Sequence, residues 1–75
     1  MEAQALRQRV LGGMLEQVRE DTFPSVAIMN RIEASLQTRE QLEEYADILL
    51  EKVESTRFPS LAMRNRLDAI IDRLG

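Results

Sequence analysis

Apolar residues return every three or four positions along this chain, in four separate runs. The first is Leu6, Val10, Leu11, Met14, Leu15 and Val18. The second is Ile28, Ile32 and Leu36, with Ser35 in the same stripe. The third is Leu42, Tyr45, Ala46, Leu49, Leu50 and Val53, and the fourth is Met63, Leu67, Ile70, Ile71 and Leu74. A period near 3.6 marks one face of an α-helix, and no stretch alternates with period two as a half-buried strand would.

The breaks between the runs carry the chemistry of helix ends. Pro24 and Pro59 lack the amide that a helix interior requires and clash with the preceding turn, at a cost of about 3 kcal/mol. Each therefore stands at a helix start or just before one. Ser25 and Ser60 follow as natural N-cap acceptors. The phenylalanines ahead of them, Phe23 and Phe58, are expected to fold back as hydrophobic staples. Thr38-Arg39-Glu40-Gln41 has the form of a capping box, and Gly75 after Leu74 suits a helix stop. These signals predict helices over about 3–20, 25–36, 39–55 and 60–74.

The runs are also related to one another. Shifted by 35 residues, positions 15–36 match 50–71 at ten of 22 sites, including Leu-Glu-x-Val, Phe-Pro-Ser and Asn-Arg. Several mismatches keep character, as at Ile32/Leu67 and Glu33/Asp68. The pattern reads as an internal duplication of a helical hairpin. Two copies are fewer than an open solenoid needs, so a closed array is expected. The fold expectation is all-α: a four-helix up-down antiparallel bundle built from two tandem hairpins with offset 35. Residues 1–75 are taken as one helical domain, with hairpin repeat 1 at about 3–36 and hairpin repeat 2 at about 39–74.

Composition narrows the chemistry. With 75 residues, the chain buries only about 60% of its unfolded surface. It has no cysteine and no histidine. That removes disulfides, thiolate zinc sites, and the commonest metal ligand and general base. Nothing pairs a nucleophile with a base, and Gly12-Gly13 lacks the flanking residues of a phosphate loop. The expectation is no enzyme, no cofactor and no bound metal. Net charge is −3, which gives no global attraction to nucleic acid or to an anionic membrane. No apolar run is long enough to cross a bilayer, and Met1-Glu2-Ala3-Gln4-Ala5 is not a secretory leader, so the expected location is the cytoplasm.

What remains is a surface for other proteins. The third helix carries Glu40, Glu43, Glu44, Asp47, Glu51 and Glu54 within about a third of its circumference. Several are like-charge neighbours four apart, which weakens the helix by a few tenths of about 1 kcal/mol each. Gly12 and Gly13 stand inside the first helix, either bending it or permitting close approach of another backbone. The two copies differ most at Gly13/Ile48 and Met29/Arg64, with Tyr45 beside Ile48. The expected partner or oligomer surface is therefore Gly12, Gly13, Met29, Tyr45, Ile48, Glu44, Asp47 and Glu51. The functional expectation is a small acidic protein–protein interaction module of adaptor, assembly-factor or inhibitor type that forms a homodimer. The alternative is a DNA-binding or regulatory domain using Arg57, Arg64, Arg66 and Arg73 around the fourth helix. Against it, Asp68 and Asp72 interrupt that basic run.

Overall fold

The computed structural model describes residues 2–55 and 60–75. Within them the regular structure is helical throughout: α1 (Ala3–Glu20), α2 (Val26–Ser35), α3 (Arg39–Ser55) and α4 (Leu61–Leu74). Arg57, Phe58 and Pro59 lie outside the described residues. The chain divides into two compact units, Met1–Leu36 and Gln37–Gly75, each a pair of packed helices.

In the first unit, α2 starts where Pro24 and Ser25 place it. Ser25 is the N-cap, and its hydroxyl accepts from the Ile28 amide at 3.2 Å. The staple differs from the expectation. Phe23 is 88% exposed, while Pro24 is buried. The reason is register. With Ser25 at N-cap, the staple position just before it is Pro24, and the matching position inside the helix is Met29, which is also buried. Phe23 stands one residue too early to close on its own helix. The core of this unit is Leu11, Leu15 and Val18 from α1 with Met29, Ile32 and Leu36. Leu6 and Val10, expected on the same face, are exposed.

That exposure follows from a length mismatch. α1 has 18 residues and α2 has 10. At 1.5 Å per residue, α1 is longer by about 12 Å. Because α2 turns back at residues 21–25, it covers the second half of α1 and leaves the first two turns without a helix beside them in this unit. Among the described residues none before Leu11 is buried. The α1 N-cap, Glu2, makes no side-chain capping bond.

In the second unit, the capping box forms in full. The Gln41 amide donates to Thr38 Oγ1 at 3.1 Å, and Gln41 Oε1 accepts from the amides of Thr38 and Gln37 at 3.1 and 2.8 Å. Ser60 caps α4 by accepting from the Met63 amide at 3.3 Å. Gly75 adopts φ +90, as a left-handed helix stop requires, and its amide donates to the Asp72 carbonyl at 3.2 Å. Here the helix lengths nearly agree, 17 and 14 residues. Arg39 Nη1, at the start of α3, donates to the carbonyl of Leu74 at the end of α4 at 3.0 Å. The two helices are therefore antiparallel and flush at that end. Their core is Tyr45, Ile48, Leu49, Leu67 and Ile70. Among the described residues no polar or charged side chain is buried without a hydrogen-bond partner.

Candidate interaction surface

The residues singled out in sequence fall into two groups. Met29, Tyr45 and Ile48 are core, and Ile48 is only 1% exposed. The expectation that these three form a free surface is thereby corrected. Ile48 follows Tyr45 by three positions and sits beside Leu49, so all three share the helix face that meets α4. The seam of α3 runs along Tyr45, Ile48 and Leu49, not along Ala46 and Leu50. Met29 owes its burial to the staple position described above.

Gly12, Gly13, Glu44, Asp47 and Glu51 are exposed. The glycines do not interrupt α1, which is helical from Ala3 to Glu20. A Cβ added at either would meet nothing within 4 Å. Neither position needs a glycine for packing in this chain, although each glycine weakens the helix by about 1 kcal/mol against alanine.

All six carboxylates of α3 are exposed. Glu43 accepts from Arg39 Nε at 3.1 Å, with both side chains more than half exposed, so the pair contributes little. On the border of this acidic face stands Leu50, 43% exposed. Its counterpart in the first hairpin, Leu15, is core. A leucine edged by carboxylates provides an apolar contact inside a negative field.

Other exposed large apolar side chains are Leu6, Val10, Phe23, Val26, Leu61 and Ile71. Leu6 and Val10 continue the apolar stripe of α1, but helical periodicity does not show where the neighbouring helix ends. The distance between Pro24 and Thr38, against the length of the first run, carried that signal. Phe23 was readable too, by counting N-cap positions back from Ser25.

On α4, Arg64 and Arg73 are exposed and Arg66 is half-buried. At 100° per residue, Arg66 and Arg73 share a side and Arg64 points nearly opposite. The described arginines therefore do not converge on one groove-reading face. Among the described residues no cluster of acidic side chains is gathered to hold a metal ion, and no helix is long and apolar enough to cross a membrane. Comparison with family models, with curated proteins and with solved structures finds no match to this chain.

Proposed function

We propose that this chain is a small acidic protein–protein interaction module without catalysis of its own. In this reading, two duplicated hairpins close into an up-down four-helix bundle, work in the cytoplasm, and dock a basic protein partner on the outer face of α3. The observation that carries it is the composition of that face: Glu40, Glu43, Glu44, Asp47, Glu51 and Glu54, all exposed, with Leu50 exposed at their border. Like charges four apart oppose the helix that bears them. A basic partner with an apolar anchor would relieve that repulsion and bury Leu50. Interfaces of this kind draw on-rate and specificity from charge and most of their affinity from the central apolar contact.

The test compares the wild-type chain with a Glu44→Lys, Asp47→Lys, Glu51→Lys variant as baits in the native host, read by mass spectrometry. These side chains are exposed, so circular dichroism is expected to be unchanged. A partner retained by the wild type, lost by the variant and weakened by salt supports the reading. Identical capture by both baits, or capture by neither, overturns it.

A further inference from the structure

We propose that α1 pairs antiparallel with α1 of a second copy of this chain. The contact face is Ala3, Leu6, Val10, Gly13, Gln17 and Glu20. These positions are spaced by alternating threes and fours, the spacing of a helix–helix seam. Every one of them is exposed. They lie about a third of a turn from the face that α2 covers, and Leu6 and Val10 are 48% and 57% exposed. The interaction-module reading is deepened here by naming one partner. A different helix from the acidic docking face carries the contact, so either proposal can fail alone.

Orientation follows from shape and charge. In a parallel pair, Gly13 would face the partner's Gly13 and leave a void at the centre of the seam. In an antiparallel pair, Val10 faces the partner's Gly13, and Leu6 faces the partner's Gln17. The space beside Gly13, where a Cβ would meet nothing within 4 Å, then receives the partner's Val10. This gives Gly13 the role of close helix approach that nothing in its own hairpin requires. Arg9 and Glu16 flank the seam on one side, seven residues apart and both exposed. The antiparallel arrangement sets Arg9 beside the partner's Glu16 and Glu16 beside the partner's Arg9. A parallel arrangement forms neither pair. Residues at these flanking positions set partner choice and orientation in paired helices.

The test is sedimentation equilibrium of the full chain over a concentration series. The wild type is expected to pass from monomer to dimer. Val10→Glu should abolish the dimer. Arg9→Glu and Glu16→Arg should each weaken it on the order of tenfold, because each places two like-charge pairs across the seam. The double variant Arg9→Glu, Glu16→Arg should return to within about threefold of the wild type, since the swap restores both pairs. Gly12→Ala, about 130° around the helix from the centre of the seam, should change nothing in association. All these sites are exposed, and circular dichroism checks that each variant stays folded. A wild-type chain that is monomeric throughout, a dimer indifferent to Val10→Glu, or a double variant as weak as the single ones would overturn the proposal.

Discussion

Hairpins α1–α2 and α3–α4 are similar in sequence yet bury different faces. Leu15, Met29 and Leu36 are core in the first, while their counterparts Leu50, Arg64 and Ile71 are exposed in the second. The exchange runs the other way at Val10, Gly13 and Ser35, which are exposed where Tyr45, Ile48 and Ile70 are core. In α3 the seam has moved by about one residue, roughly 100° around the axis, and in α4 by a smaller step in the same sense. Ile32 and Leu67 are buried in both hairpins and act as the pivot. The difference teaches that caps and turns fix where helices begin, whereas bulk on either flank of the stripe decides which face packs. Tyr45, Ile48 and Ile70 bring large side chains to a flank where the first hairpin has valine, glycine and serine.

The sharpest way to break that comparison is to truncate matched residues. Leu15→Ala should cost about 2–4 kcal/mol and Leu50→Ala about 1 kcal/mol or less, because one is core and the other half-exposed. Likewise Met29→Ala should cost about 2–4 kcal/mol, and Arg64→Ala should stay within about 0.5 kcal/mol. Urea denaturation of the four variants measures this. Equal losses within either pair would show that the hairpins share one seam after all.

How much was legible follows from the same contrast. Helix limits were readable because Pro24, Ser25, Thr38, Gln41, Ser60 and Gly75 act through local backbone chemistry that needs no knowledge of neighbours. The seam of α3 was not, because Leu50 and Ile48 both continue a plausible stripe and only the opposing helix chooses between them. The same holds for Leu6 and Val10, whose periodicity is sound but whose hairpin partner stops short. The acidic face was legible because unpaired carboxylates lose their hydration when buried, so six on one side of a helix mark a side that stays in water.

The caps are where the hairpins should agree. Ser25→Ala and Ser60→Ala each remove one acceptor from a first-turn amide, at 3.2 and 3.3 Å. Each should cost about 1 kcal/mol, and the two should match within about 0.5 kcal/mol. A large disparity in denaturation midpoint would mean that the serines hold their helices by something other than the cap.

The glycines separate stability from association. Both lie mid-helix with open space at the Cβ, so Gly12→Ala and Gly13→Ala should each stabilise the folded chain by about 0.5–1 kcal/mol at dilute concentration. Only Gly13→Ala should also loosen self-association, because only that position faces the proposed seam. Gains at both sites with unchanged association at both would confine the glycines to a local effect on α1.

The smallest effect belongs to the end of the second hairpin. Arg39 joins the start of α3 to the Leu74 carbonyl at the end of α4, and no such closure is possible where α1 runs past α2. Its bond to Leu74 is charge-assisted but exposed, and its pair with Glu43 is screened by solvent. Arg39→Gln should therefore lower global stability by no more than about 0.5 kcal/mol. Its signature should be local: faster hydrogen exchange at the last-turn amides of α4, with α2 unchanged. If α2 responded equally, the two hairpin ends would be coupled through more than their shared chain. If neither responded, the flush end of the second hairpin would rest on helix length alone, and the contrast with the overhanging α1 would reduce to the distance between Pro24 and Thr38.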